Sequence, residues 1–194
     1  MKETVKVLVV QALPEEYTPT PLPGAEVRHL YTGVGKVNAA VRLMKAVHEW
    51  RPDVVLNVGT AGTAVHRVGD ILLCTRFMDR DMKVLADFGV VWQQDTGDRM
   101  EAFLWDWGLP VGALCNTGDS FVTDAAHAEG DVVDMEAYAE AQACRELGIP
   151  FLAVKYVTDV VGQNSVKHWE DKLADARRDL AAYFEKVVLK ETYI

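Results

Sequence analysis

The sequence predicts an α/β fold, a central mixed and mostly parallel sheet flanked by helices, built as a single domain over residues 1–194. Three observations predict it. Nearly apolar, β-branched runs such as Val5–Leu13, Asp53–Val58 and Phe151–Val157 alternate along the chain with amphipathic stretches, the order that strand–helix–strand units require. Those runs lack the apolar/polar alternation of a half-solvated strand, so both of their faces are covered, as in a parallel sheet. Hydrophobic residues make up 49% of 194 positions, which is enough for one substantial core in a domain of ordinary size.

The elements follow in order. Val5–Leu13 is a strand that stops at Pro14, Pro19, Pro21, Pro23 and Gly24, a cluster that reads as an irregular loop. Val27–Thr32 is a second strand. Gly33-Val34-Gly35 then turns the chain into a helix over Lys36–Trp50, where Val37, Ala40, Val41, Met44 and Val47 recur at three- and four-residue steps and Pro52 ends the run. Asp53–Val58 reads as a buried strand entering the loop Gly59-Thr60-Ala61-Gly62, and Asp70–Phe77 as another after a turn at Gly69. Residues 83–110, with Trp92, Trp105 and Trp107, follow no single period and read as mixed structure. Val111–Cys115 is a short strand opening into Asn116-Thr117-Gly118-Asp119-Ser120-Phe121. Asp134–Leu147 is a helix stopped by Gly148 and Pro150, Phe151–Val157 a strand, and His168–Leu189 a terminal helix with Leu173, Ala176, Leu180, Tyr183 and Val187 on one side.

Composition excludes several functions. With 20 basic against 29 acidic residues the net charge is −9, which argues against nucleic acid or an anionic membrane surface as partner, since both favour basic patches. No apolar run approaches the roughly 18 residues of a membrane span, and Met-Lys-Glu-Thr-Val-Lys lacks the apolar core of a signal peptide. Cys74, Cys115 and Cys144 have no paired spacing, which suits a reducing cytoplasm. His29, His48, His66, His127 and His168 show no metal-ligand spacing, so no metal is expected. Gly33-Val34-Gly35-Lys36 lacks the glycine spacing and hydroxyl residue of a triphosphate loop, and Asn38 stands where a dinucleotide fingerprint needs its third glycine. No cofactor is therefore expected, and the remaining partner class is a small molecule or a protein.

Carboxylates at element ends point to a site. Asp159 follows a strand buried on both faces, and the carboxyl ends of such strands open into the crevice where α/β sheets bind ligands. Asp134 and Glu136 stand at the start of the next-to-last helix. Each has a structural alternative: first-turn acids favoured by the helix dipole for the pair, and a cap or turn residue for Asp159.

Gly33-Val34-Gly35-Lys36-Val37-Asn38-Ala39-Ala40, Asn57-Val58-Gly59-Thr60-Ala61-Gly62, Val68-Gly69-Asp70-Ile71, Arg76-Phe77-Met78-Asp79-Arg80-Asp81, Asp134-Met135-Glu136-Ala137 and Thr158-Asp159-Val160 together resemble the purine nucleoside phosphorylase and nucleosidase superfamily. Within it the chain is most similar to methylthioadenosine/S-adenosylhomocysteine nucleosidases, over about residues 5–190. The resemblance implies a nucleoside phosphorylase-like α/β/α sandwich, a purine nucleoside and water as reactants, and a homodimer whose partner closes the pocket. It implies that Asp159 donates a proton or hydrogen bond to purine N7, that Glu136 grips the ribose hydroxyls, and that Glu16 activates water, with Glu15 as the neighbouring alternative. More softly, it puts Thr60, Ala61 and Gly62 beside the sugar and nucleophile, Phe121 and Val122 over the purine, Met135 behind the ribose, and Thr158 and Lys155 close by, Lys155 where such enzymes commonly carry an arginine.

The chemistry agrees with that assignment, because leaving-group protonation, sugar-cation stabilisation and water activation can all be supplied by carboxyl groups. Residues 11–24 hold no Lys or Arg and hold two glutamates, which favours hydrolysis over phosphorolysis; Arg28 and Arg42 are the remaining candidates for phosphate. A non-catalytic purine-binding relative has no use for a water-activating carboxylate. The proline-rich Pro14–Pro23 and a short region between residues 82 and 112 depart from the family, which leaves the 5′ specificity open and keeps a futalosine-type hydrolase as an alternative. Exposed apolar residues in 83–110 are the expected dimer surface.

Overall fold

A computed structural model describes residues 4–163 and 165–190; the other positions of the 1–194 span lie outside the described residues. The chain runs β1 (Val5–Gln11), β2 (Ala25–Tyr31), α1 (Lys36–Trp50), β3 (Val54–Thr63), β4 (Ile71–Asp79), β5 (Gln93–Asp95), β6 (Trp105–Asp106), β7 (Val111–Thr117), β8 (Val132–Asp134), α2 (Ala137–Leu147), β9 (Phe151–Val160), α3 (Ser165–Phe184) and β10 (Val188–Leu189), with short 3₁₀ helices at Lys83–Phe88, Gly97–Ala102 and Ala125–His127. The fold class is as expected: an eight-stranded mixed sheet flanked by helices. Parallel pairings join β2, β1, β3 and β9, and also β4, β7 and β8. Antiparallel ones join β4 to β9, β4 to β5 and β3 to β8. The sheet therefore closes on itself through β3, β9, β4, β7 and β8, and the seam is the single pair Gly62–Val133.

Apolar side chains cover both faces. Leu43, Val47 and Trp50 of α1 with Tyr138, Ala141 and Cys144 of α2 pack on Leu8, Val10, Val55 and Phe151. Ala176, Leu180 and Phe184 of α3 pack on Val7, Leu56 and Val154 with Phe103, Trp105 and Trp107. Burying a side chain the size of Leu43 or Leu180 contributes about 1.5–3 kcal/mol.

Several boundaries differ from the sequence reading, each for a tertiary reason. Gly59–Gly62 is not a loop: β3 continues through it to Thr63, because Gly59, Thr60, Ala61 and Gly62 pair with Lys155, Tyr156, Val157 and Asp159 of β9. The helix expected from Asp134 begins at Ala137, since Val132–Asp134 is taken up as a strand beside β7. The terminal helix is shifted to Ser165–Phe184, and Val187 is buried beyond its end. On α1 the buried stripe is Ala39, Leu43, Val47 and Trp50, whereas Val37, Val41 and Met44 are exposed. The helix carries two apolar stripes, and only packing decides which one faces the sheet. Residues 83–110 divide likewise: Val84, Phe88 and Val91 are exposed while Phe103, Trp105 and Trp107 are buried, with the Trp105 indole donating to the Pro23 carbonyl at 2.9 Å.

Candidate active site

The ends of β3 and β9, the β8–α2 junction and the loops after β1 and β7 converge on one cavity of about 270 Å³ with mostly apolar walls and a few acids. Convergence depends on glycine at the seam. A Cβ on Gly62 would meet Asp159 Oδ2 at 3.0 Å and Val133 Cγ2 at 3.2 Å, and one on Gly59 would meet Glu16 Oε1 at 3.3 Å. These two glycines let a strand backbone touch carboxylates directly.

Glu16 is buried in the irregular loop after β1. Its Oε1 accepts the Thr60 backbone N–H at 3.0 Å and the Thr60 hydroxyl at 2.6 Å, and its Oε2 accepts the Leu13 N–H at 3.0 Å. Each carboxylate oxygen has two lone-pair positions, so Oε1 is filled and Oε2 keeps one for a molecule in the cavity. Glu15 is exposed, and its carbonyl accepts from Arg177 Nε at 3.0 Å. It is Glu16, not Glu15, that faces the cavity.

Glu136 precedes the first turn of α2, yet its side chain makes no cap there. It crosses instead to α1, where Oε1 accepts the Gly35 N–H at 2.8 Å. Burial first, then the nearby Asp134 charge, pushes its carboxyl up to about 8. Asp134 caps the turn, accepting the Ala137 N–H at 3.0 Å, and takes the Thr117 hydroxyl at 2.5 Å and the Lys155 ammonium at 2.8 Å. Burial alone would raise the Asp134 carboxyl, but the Lys155 charge and these donors hold it below the usual range. Lys155 is likewise held charged: burial opposes it, and Asp134 with the other surrounding anions outweighs burial.

Behind this pair, Glu140 is fully buried, accepting from Asn57 Nδ2 at 2.7 Å, and burial pushes it up to about 7. A carboxyl raised from 4.5 keeps its proton in the folded chain where the unfolded chain has lost it. Stability from this group is complete below about pH 4.5 and is lost as pH rises toward about 7. Glu140→Gln should therefore gain on the wild type by on the order of 3 kcal/mol between pH 4.5 and pH 8. Urea unfolding of both proteins across that range checks this, and parallel pH profiles would refute it.

Asp159 lines the cavity, and its Oδ1 lies 2.9 Å from the Thr158 hydroxyl. Thr60, Ala61, Gly62, Phe121, Val122, Met135 and Glu136 also reach the wall. Thr158 and Lys155 do not: both are buried behind it, Thr158 bonded to Asp159 and to the Ala61 carbonyl, Lys155 to Asp134. β9 bulges at Thr158, which the pairing with β3 skips between Val157–Ala61 and Asp159–Gly62, and this sets Asp159 against the seam glycine. Arg28 and Arg42 do not line the cavity either, Arg28 lying over the Trp50 ring at 4.7 Å and Arg42 by the Tyr31 carbonyl.

Sequence reasoning missed Arg80 and Trp169. Arg80 belongs to a quoted motif but carried no assignment; its guanidinium donates to the carbonyls of Asn116, Gly118, Ser120 and Asp134, which ties the loop bearing Phe121 to the β8–α2 junction. Trp169 reaches the wall from α3 with no local signal at all. Among the described residues no group of three or more His, Cys, Asp or Glu could hold a metal ion, and no helix is long and apolar enough to cross a membrane.

Comparison with known proteins agrees in sequence and in fold. A family model described as the phosphorylase superfamily matches residues 15–109 and 112–189. A 5′-methylthioadenosine/S-adenosylhomocysteine nucleosidase of Geobacillus kaustophilus is 32% identical over 190 residues, covering 86% of this chain and 80% of its own. One from Anoxybacillus flavithermus is 33% identical over 180 residues, covering 80% and 77%. Among solved structures, a nucleosidase of that name from Colwellia psychrerythraea in complex with adenine superposes with a TM-score of 0.80 at 25% identity, over 94% of this chain and 95% of that one. A futalosine hydrolase of Helicobacter pylori shares the fold, with a TM-score of 0.77 at 17% identity over 93% and 97%.

Proposed function

This chain belongs to the phosphorylase superfamily, and from that premise we propose that it is a purine nucleosidase, hydrolysing the N-ribosidic bond of a 5′-methylthioadenosine or S-adenosylhomocysteine type substrate. One observation carries the reading. A buried glutamate stands at the cavity wall with one lone pair unused, and among the described residues of the wall no free cation faces a phosphate. Arg80 is the cation among the described residues of the wall, and both of its terminal nitrogens are committed to backbone carbonyls, leaving only the buried Nε without a partner. Phosphorolysis needs a held dianion, which arginine forks normally supply; hydrolysis needs a base for water.

Glu16 Oε2 takes a proton from water as the water oxygen bonds C1′. The C1′–N9 bond breaks, its electron pair goes to the purine, and Asp159 supplies the proton at N7. Glu136, whose Oε1 is held by the Gly35 N–H, turns Oε2 to the ribose diol, and a carboxyl raised to about 8 can there both accept and donate. Met135 backs the ribose, while Phe121 and Val122 cover the base. Lys155 and Thr158 serve as positioning residues behind Asp134 and Asp159.

The 5′ group is assigned from the relatives above 30% identity. The futalosine hydrolase likeness bears on fold alone. A cytoplasmic setting and a homodimer complete the proposal, the dimer supported by the uncovered apolar residues Val37, Val41, Val84 and Phe88.

The test is purine release from methylthioadenosine, adenosylhomocysteine, adenosine, inosine and futalosine, each with and without inorganic phosphate. We expect release from the first two that is indifferent to phosphate. Strict phosphate dependence, with a ribose 1-phosphate as product, would overturn the hydrolase reading.

A further inference from the structure

We infer that Trp169 is a positioning residue for the water-activating glutamate, acting through Thr60; the inference rests on the role proposed for Glu16. The Trp169 indole N–H donates to Thr60 Oγ1 at 2.9 Å, and Thr60 Oγ1 lies 2.6 Å from Glu16 Oε1. An indole nitrogen can only donate, and an ionised carboxylate can only accept. A hydroxyl has a single proton, and its rotor turns to suit its neighbours. With Trp169 occupying a lone pair of the Thr60 oxygen, that direction is closed to the hydroxyl proton, and Glu16 Oε1 at 2.6 Å is the acceptor within reach.

This chain of donors gives Glu16 its handedness. Oε1 is filled by the Thr60 N–H and the Thr60 O–H, so the lone pair open to water stays on Oε2, whose other partner is the Leu13 N–H. Without the indole donor the Thr60 hydroxyl is free to point its proton elsewhere. Oε1 then gains an open lone pair, and water can bind at either oxygen instead of at one fixed position. Trp169 is half-buried and itself lines the cavity, so it links the docking of α3 to the alignment of the base.

The experiment is a double-mutant cycle on the full chain, with Trp169→Phe, Thr60→Ala and the pair, measuring kcat and KM for phosphate-independent purine release. A site-specific replacement of Trp169 by 3-benzothienylalanine, which keeps the bicyclic shape and lacks the N–H, stands in if phenylalanine loosens the packing of α3. Loss of the N–H should lower kcat about 5- to 20-fold with KM changed less than about twofold. In the Thr60→Ala background the same change should cost nothing further. An unchanged kcat with the shape-preserving replacement, or an equal loss in both backgrounds, would overturn the inference. Glu16→Gln run alongside separates the two levels: if it keeps full activity, the role of Glu16 fails, whereas an inactive Glu16→Gln with additive Trp169 and Thr60 effects sinks only the part played by Trp169.

Discussion

Glu16→Gln is expected to lower phosphate-independent purine release by about 10²–10⁴-fold or more while leaving nucleoside affinity within a few-fold of the wild type. The amide keeps the shape but cannot take a proton from water. The hydrogen bonds also forecast a structural side effect. The amide oxygen suits the Oε1 position, where it accepts both donors of Thr60, and this forces the NH₂ to the Oε2 position against the Leu13 N–H. Donor then faces donor, so the Leu13 N–H loses its partner and stability falls by roughly 1–3 kcal/mol. Calorimetric binding of a nucleoside, a melting curve and a product assay check the three statements together. Glu15→Gln is the control, since that side chain is exposed and should be silent. Loss of activity in Glu15→Gln with a fully active Glu16→Gln would reassign the base.

Asp159→Asn is expected to cost turnover of the same order, about 10²–10⁴-fold, for a different reason: a carboxamide can hydrogen-bond N7 but cannot transfer a proton as the C1′–N9 bond breaks. The fold should persist. Asn retains an oxygen to face the Thr158 hydroxyl now 2.9 Å from Oδ1, and it adds no bulk against Gly62, which already leaves only 3.0 Å between a would-be Cβ and Asp159 Oδ2. Single-turnover kinetics distinguishes the two variants from binding defects. The loss in Asp159→Asn should shrink with nucleosides whose base is a better leaving group, because they depend less on protonation. An equal loss across such a series would remove Asp159 from the proton-transfer role.

Much of the scaffold was legible in the chain. The sharp stops at Pro52, Gly148 and Pro150 and the three- to four-residue apolar recurrence located α1 and most of α2, and apolar runs located β1, β3, β7 and β9. What misled was local chemistry overridden by pairing. Gly59-Thr60-Ala61-Gly62 has the composition of a loop but lies in β3, where glycines admit Glu16 and Asp159 against the strand. Asp134 reads as a helix opener, yet it ends β8 and caps α2 from outside while meeting Lys155. The two apolar stripes of α1 are equivalent to a periodicity argument, and packing on the sheet selects Ala39, Leu43, Val47 and Trp50.

Taken alone, the sequence determined the class of fold, the order of strands and helices, and a short roster of acids, because those depend on composition and periodicity over a dozen neighbouring residues. Tertiary structure alone decided which acids share a cavity and what each oxygen can still accept. Thr60 holds Glu16 across 44 positions, Gly35 holds Glu136 across 101, and Trp169 reaches Thr60 across 109. Hydrogen bonds between segments so far apart leave no local imprint, since each donor would serve equally well as a solvated group until closure of the sheet at Gly62 and Val133 brings its partner within 3 Å and takes the water away.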